Sequence, residues 1–233
     1  MDKENILSKL KNGLIVSCQA ENDSPFNSPE DVAKFAIAAI QGGAVGIRSA
    51  GIEKTKKILE YVNVPVIGLT KSNFEDGLVC ITRELGDVES LLHIGTQIIA
   101  IDGTFRTFNK LTGPDFISEV KSKFDCIVMA DIAREEEAIA CINAGANCIS
   151  TTLNGYTPET IQEKFKGCNF ELLKSLSSKV NVPVFAEGRF NSKDDAAKAI
   201  RIGAWAVVVG TAITRPHIIT SWFVEEIKNA AEK

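Results

Sequence analysis

Charged, amide and hydroxyl side chains recur in this chain at one kind of position, directly after or at the end of a short apolar run. Gln19 follows the run 14–18, Arg48 ends the run from Gly43, and Lys71 comes soon after Val66–Leu69. Asp102 ends the run from Ile98, with Arg106 a little later, and Asp131 follows the run 126–130. Ser150, Thr151 and Thr152 end the run from Gly145, and Glu187, Gly188 and Arg189 end the run from Pro183. Gly210, Thr211 and Ala212 follow the last run, with Arg215 just beyond. A lysine and carboxylates on one face are the ingredients of proton transfer, in which one group removes a proton and another supplies one.

Each residue also has a plainer structural reading. Lys71 fits a solvated loop lysine, and Arg48 could pair with Asp102 or Glu187. Asp131 could cap the helix that follows it, the commonest fate of an aspartate in that position. Taken together the set favours chemistry, because buried charge is costly and needs a reason. The glycines in Ala186-Glu187-Gly188-Arg189 and Val209-Gly210-Thr211-Ala212 sit where backbone must approach a ligand closely. Backbone N–H groups at such turns, with a helix N-terminus, hold phosphate.

These residues need a scaffold that brings many strand ends to one place. Gly-Ala-Val-Gly-Ile-Arg from Gly43, Gly-Thr-Gln-Ile-Ile-Ala from Gly95, Gly-Ala-Asn-Cys-Ile-Ser from Gly145 and Gly-Ala-Trp-Ala-Val-Val from Gly203 form a weak repeat. Asn-Val-Pro-Val occurs twice, from Asn63 and from Asn181. The pattern predicts eight strands near 14–18, 45–48, 66–69, 98–102, 126–130, 147–151, 183–187 and 205–209. Helices are expected near 29–40, 52–61, 86–94, 114–123, 134–143, 170–179, 192–201 and 217–230. Ser28 before Pro29 reads as an N-cap, and Ser192 with Asp195 as a capping box. Continuously apolar strands fit parallel strands buried on both faces. Eight strand–helix units with this repeat predict an α/β fold, a single (β/α)₈ barrel over residues 1–233 with its site at the C-terminal strand ends.

The 233-residue length suits such a barrel, and 45% hydrophobic with 24% charged residues is an ordinary globular mix. A net charge of -4 argues against a nucleic-acid partner but leaves room for one local anion site. Six cysteines without a CxxC pair, and only two histidines, give little support for a metal centre. Buried reduced thiols fit the cytoplasm. Residues 1–10 lack an apolar signal core, and no apolar run reaches membrane-spanning length. His93 and His217 read as helix-end and surface residues, and Trp205 and Trp222 as packing.

LIVSCQA (14–20), GAVGIR (43–48), VPVIGLTK (64–71), MAD (129–131), STTLNGYTP (150–158), PVFAEGR (183–189) and VVVGTAITRP (207–216) resemble the bacterial N-acetylmannosamine-6-phosphate 2-epimerase family over nearly the whole chain. The resemblance implies a phosphate-binding barrel acting on a phosphorylated N-acetylhexosamine in sialic acid and amino-sugar catabolism. It implies Lys71 as catalytic acid/base and Glu187 as its acidic partner. Gln19, Arg48, Asp131 and Thr151 correspond to sugar-binding or orienting residues. Arg189 and Arg215, with the backbone of Gly188, Gly210, Thr211 and Ala212, correspond to the phosphate end. No metal or organic cofactor is implied, and a homodimer is, in some members by exchange of the last helix. The chain departs from the family pattern after Lys71, where it reads Ser72-Asn73-Phe74-Glu75-Asp76. It departs again after Asp102, where it reads Gly103-Thr104-Phe105-Arg106-Thr107-Phe108. The resemblance therefore does not extend to Arg106.

Inverting C2 of such a sugar breaks a C–H bond that is acidic only beside a carbonyl, so the open-chain aldehyde should react. The step needs a base, a donor for the developing enolate oxygen and proton delivery to the other face. A lysine base must be neutral, a state favoured by desolvation or a neighbouring cation, and Arg48 is a candidate for that cation. Three other readings stay open on these residues: a Schiff-base aldolase using Lys71, a phosphate barrel of tryptophan or thiamine synthesis, and a non-catalytic phosphosugar sensor.

Overall fold

The computed structural model describes residues 2–20, 24–165 and 167–232. The chain begins with α1 (Lys3–Ser8), β1 (Leu14–Cys18), α2 (Pro29–Gln41), β2 (Gly46–Ala50), α3 (Ile52–Leu59) and β3 (Val66–Leu69). A hairpin of β4 (Lys71–Asn73) and β5 (Val79–Ile81) interrupts the alternation. It resumes with α4 (Leu85–His93), β6 (Ile98–Asp102), α5 (Gly113–Lys123), β7 (Ile127–Asp131), α6 (Glu135–Asn143) and β8 (Cys148–Ser150). Then come α7 (Phe170–Lys179), β9 (Val184–Glu187), α8 (Lys193–Arg201), β10 (Ala206–Val209), the short α9 (Thr211–Thr214) and α10 (Pro216–Ala231). Eight of the strands close into a parallel barrel in the order β1-β10-β9-β8-β7-β6-β3-β2. The expected (β/α)₈ architecture is therefore present. The hairpin β4–β5, α1 and α9 were not anticipated.

Local signals start the helices as expected. Ser28 accepts from Asp31 N and Pro29 opens α2. Ser192 accepts from Asp195 N, and its hydroxyl donates to the Asp195 carboxylate rather than leaving that group for a reciprocal box. Thr112 and Asp115 make a full capping box at α5.

Side chains along each strand alternate between two layers. The inner layer contains Ile15, Ile67, Leu69, Ile98, Ala100, Ile127, Met129, Cys148, Phe185, Ala206 and Val208. The other parity, including Ile99, Ile101, Val128, Ala130, Ile149, Ala186, Val207 and Val209, packs under the helices. Following the inner parity to the C-terminal ends leads to Gln19, Lys71, Asp102, Asp131, Thr152, Glu187 and Gly210. Arg48, two residues beyond Gly46, belongs to the same series.

The opposite end is closed by residues around α1. Leu7 and Leu10 join the inner layer, Trp205 Nε1 donates to Leu7 O at 2.8 Å, and Asn12 N donates to Trp205 O at 2.7 Å. Leu10 is fully buried. Because stability and catalysis occupy opposite ends of such barrels, Leu10→Ala should lower unfolding free energy by about 2–5 kcal/mol without altering the chemistry at the mouth. Urea unfolding and steady-state kinetics on the same variant check both halves.

Candidate active site

Three ionisable side chains, Arg48, Asp131 and Glu187, meet inside the barrel mouth. Arg48 on β2 reaches across the interior to β7, where Nη1 donates to Asp131 Oδ1 at 3.1 Å and Nη2 donates to Asp131 Oδ2 at 2.6 Å. Its Nη1 also lies 3.3 Å from Glu187 Oε2 on β9. The Arg48 and Asp131 side chains are 1% and 0% exposed, so neither is neutralised by water. Burial opposes the Arg48 charge, but Asp131 and then Glu187 outweigh it and hold the guanidinium firmly protonated. A two-pronged arginine–carboxylate pair fixes orientation as well as charge. Arg48 thus pairs with Glu187, one of its two expected partners, and with Asp131 in place of Asp102. Its charge is therefore directed at these carboxylates in the barrel interior.

Glu187 sits in a cage of hydroxyls. Thr152 Oγ1 is 3.0 Å from Glu187 Oε2 and 2.8 Å from Asp131 Oδ1. Ser150 Oγ is 3.2 Å from the same Glu187 oxygen and 2.8 Å from Thr152 Oγ1. The single Thr152 proton cannot serve both carboxylates at once. Thr152 can serve Asp131 while Ser150 serves Glu187. Burial raises the Glu187 pKa above its ordinary 4.5, Arg48 opposes the shift and Asp131 adds to it. The helix-capping role suggested for Asp131 is filled by Glu137, whose carboxylate accepts from Ala133 N at 2.9 Å and Arg134 N at 3.0 Å.

Above this cluster opens a cavity of about 730 Å³. Gln19, Arg48, Lys71, Glu187, Gly188, Arg189, Gly210, Thr211 and Arg215 all line it. Gln19 Nε2 donates to Ser17 Oγ at 2.7 Å, which orients its amide. Lys71 stands on β4, exposed at the rim. On the β9–β10 side, Gly188 has φ +106°, a conformation that side chains disfavour. A Cβ on Gly210 would lie 3.3 Å from Ser17 Cβ, so the β10 turn presses on β1. Thr214 Oγ1 donates to Ser17 O at 2.9 Å and ties α9 to that strand.

Three expected site residues have other surroundings. Thr151 has the wrong parity: its hydroxyl donates to Glu187 O at 2.8 Å and accepts from Glu187 N at 3.1 Å, bridging β8 and β9 away from the cavity. Ala212 packs toward the helix layer. Arg189 reaches the wall, but its guanidinium donates to Gly167 O at 2.6 Å, Asn154 O at 2.5 Å and Asn154 Oδ1 at 3.1 Å. That clamp holds the loop after β8 and supports the left-handed φ of +61° at Arg189. Its guanidinium is thus engaged by protein carbonyl oxygens while the residue also lines the cavity. Conversely, Ser17 and Tyr156 line the cavity without having been singled out; Thr152, noted at its strand end but not assigned to the site, lines it as well, and so does Trp222, read as packing. Strand parity would have selected Thr152 over Thr151.

Asp102 belongs to a separate cluster. Arg106 Nη2 donates to its Oδ2 at 2.8 Å, Thr104 Oγ1 donates to its Oδ1 at 2.6 Å, and Arg83 Nη1 lies 4.0 Å away. Arg83 is buried and carried no sequence signal. All six cysteines are free, and burial pushes the Cys18 thiol up to about 12, which suits packing and not nucleophilic work. Among the described residues, no group of three or more His, Cys, Asp or Glu side chains is arranged to hold a metal ion. Nor is any helix long and apolar enough to cross a membrane.

The raised Glu187 pKa carries a stability signature. Its protonated form is the one the fold favours, so the contribution is complete below the ordinary 4.5 and is lost as pH rises through the folded value. Wild type should therefore lose stability relative to Glu187→Gln as pH increases above 4.5. Urea unfolding of both proteins across pH at fixed ionic strength measures this. A pH-independent difference would contradict the assignment.

A family model described as "Putative N-acetylmannosamine-6-phosphate epimerase" matches residues 32–229. A "Putative N-acetylmannosamine-6-phosphate 2-epimerase" from Caldanaerobacter subterraneus subsp. tengcongensis is 46% identical over 226 residues, covering 96% of this chain and 94% of that protein. The solved structure of the N-acetylmannosamine-6-phosphate 2-epimerase from Clostridium perfringens superposes with a TM-score of 0.87 at 40% identity, over 94% of this chain and 95% of that one. A thiamine phosphate pyrophosphorylase from Pyrococcus furiosus superposes with a TM-score of 0.61 at 18% identity, over 90% of each chain, and shares the fold alone. By sequence and by architecture, this chain belongs to the N-acetylmannosamine-6-phosphate epimerase family.

Proposed function

We propose that this protein is a cofactor-independent 2-epimerase that interconverts N-acetylmannosamine 6-phosphate and N-acetylglucosamine 6-phosphate by deprotonation and reprotonation at C2. The observation that carries the reading is Glu187, biased toward its protonated form between Arg48 and Asp131, in one cavity with Lys71 and the glycine turns after β9 and β10. In this reading the phosphate sits against the backbone of Gly188, Gly210 and Thr211 with Arg215. That is the usual place for a phosphate in this type of barrel. Gln19 and Arg48 orient the sugar, and Asp131 acts through Arg48.

The protonated Glu187 carboxyl donates to the ring oxygen as the ring opens and takes the O1 hydroxyl proton in return; it then donates that proton to the enolate developing at O1 and recovers it when C2 is reprotonated. Lys71 removes the C2 proton and returns it to the other face. The cavity volume, within the usual range for small-molecule sites, leaves room for the planar intermediate to present that face. The chemistry runs through acid–base groups of the chain and needs no redox partner.

In deuterated water the wild type should incorporate deuterium at C2 of N-acetylmannosamine 6-phosphate as it epimerises, read by NMR. Lys71→Ala should slow that exchange by about 10²–10⁴-fold, the usual contribution of a general base. Near wild-type exchange in Lys71→Ala would overturn the reading. Inactivation by borohydride in the presence of a sugar phosphate would instead favour a Schiff-base aldolase.

The same reading extends to assembly. None of the residues of α10 is buried, and Phe223 and Ile227 are each 68% exposed. A 16-residue helix with an uncovered apolar side fits a homodimer in which α10 of each copy packs on the other. Light scattering should give a dimer for wild type and a monomer for Phe223→Glu combined with Ile227→Glu. A monomeric wild type would end the proposal. A phosphosugar substrate and five buried thiols also suit a cytoplasmic enzyme.

A further inference from the structure

The hairpin that carries Lys71 is gripped at its tip by residues outside the cavity. β4 and β5 pair with each other and with no other strand among the described residues, with Lys71 opposite Ile81 and Asn73 opposite Val79. The turn is closed by Phe74 N donating to Leu78 O and Gly77 N donating to Phe74 O, both at 2.9 Å. A hairpin of three-residue strands is marginal unless something holds it. Its β5 side is anchored, since Cys80 and Ile81 are buried in the mouth, but all three residues of β4 are exposed.

The outer grip is on Phe74. The Arg106 guanidinium lies over its ring, 4.0 Å from the centroid, and Phe108 meets it edge-on at 6.1 Å and 87°. Arg106 also donates through Nη2 to buried Asp102 and through Nε to Thr104 Oγ1 at 3.1 Å. Its side chain is 8% exposed. The loop that presents it is itself fixed. Phe108 and Leu111 exchange backbone hydrogen bonds of 3.0 Å across Asn109 and Lys110, both at positive φ. Arg83, which follows the hairpin, donates to Leu111 O at 2.5 Å. Asp102 thus sets the guanidinium plane, the plane sets the Phe74 ring, and the ring sets the strand on which Lys71 stands.

We propose that Phe74 and Arg106, braced by Asp102, form a clasp that positions the Lys71 amine over the cavity. They are positioning residues, since neither lines the cavity. The proposal rests on Lys71 being the base, as argued above. It also gives a shared role to the two segments in which the chain departs from the family pattern, around Phe74 and from Gly103 to Phe108.

The test compares Phe74→Ala, Phe74→Tyr, Arg106→Met and the double variant Phe74→Ala/Arg106→Met with wild type and Lys71→Ala. Rates, KM, thermal midpoint and C2 deuterium exchange are measured on N-acetylmannosamine 6-phosphate. Phe74→Ala and Arg106→Met should each lower kcat and exchange on the order of tenfold to a hundredfold, as expected for a displaced catalytic group, with KM unchanged. Phe74→Tyr, which keeps the ring, should restore wild-type kcat. The double variant should be no slower than the slower single one, because both break one device. Phe74→Ala tests the clasp even if Arg106→Met fails to fold, because it leaves the Asp102 ion pair intact. Wild-type kcat in Phe74→Ala, or a loss confined to KM, overturns the clasp. If Lys71→Ala is inactive while Phe74→Ala is fully active, the clasp alone fails. If Lys71→Ala is active, the catalytic reading fails and takes the clasp with it.

Discussion

A guanidinium buried in the throat of a barrel must be neutralised, and much of the site follows from how Arg48 meets that demand. An isolated buried ion is too costly to persist. Asp131 supplies the matching charge through two hydrogen bonds, and Glu187 brings a second carboxylate to the same guanidinium. Two carboxylates against one cation leave an excess negative charge in a dry place. Burial first, and then Asp131, raise the pKa of Glu187, the carboxyl that reaches the cavity, against the opposing effect of Arg48. The same cluster therefore holds a carboxyl whose protonated form burial favours. Ser150 and Thr152 complete it with hydroxyls that can turn to suit either protonation state.

The barrel makes this convergence possible because its strands are parallel and closed. Parallel strands send all their C-terminal ends to one rim, and alternation sends every second side chain inward. Arg48 and Asp131 lie on strands that are not neighbours, yet a closed ring brings them within hydrogen-bond distance. The apolar inner residues beneath them, including Met129 and Phe185, fill the barrel and keep water from the cluster's underside. Lys71 is the exception to this rigidity. It stands on an added hairpin instead of a barrel strand, so its placement depends on contacts outside the ring.

Much of this was readable in the chain itself. The eight strands were expected within two residues of where they lie, because glycine at helix ends, repeated Asn-Val-Pro-Val and unbroken apolar runs are local signals. The polar residues after those runs were legible for the same reason, and most of them line one cavity. Thr151 was preferred over Thr152, and the carbonyl partners of Arg189 were not foreseen, because position after a strand does not reveal which way a side chain points or what it meets. The β4–β5 hairpin was missed because Lys71-Ser72-Asn73 has no apolar alternation to mark it as a strand.

The amino-acid sequence by itself determined the strand and helix order, the side of the barrel that carries chemistry, and the family, since these rest on local propensity and on linear motifs. The tertiary structure alone decided which carboxylates meet Arg48, which of them reaches the cavity, and how Lys71 is carried to the rim. Those outcomes depend on distances between residues as far apart in the chain as Arg48 and Glu187, and on the water that folding removes from between them. Neither is encoded in any short stretch of residues.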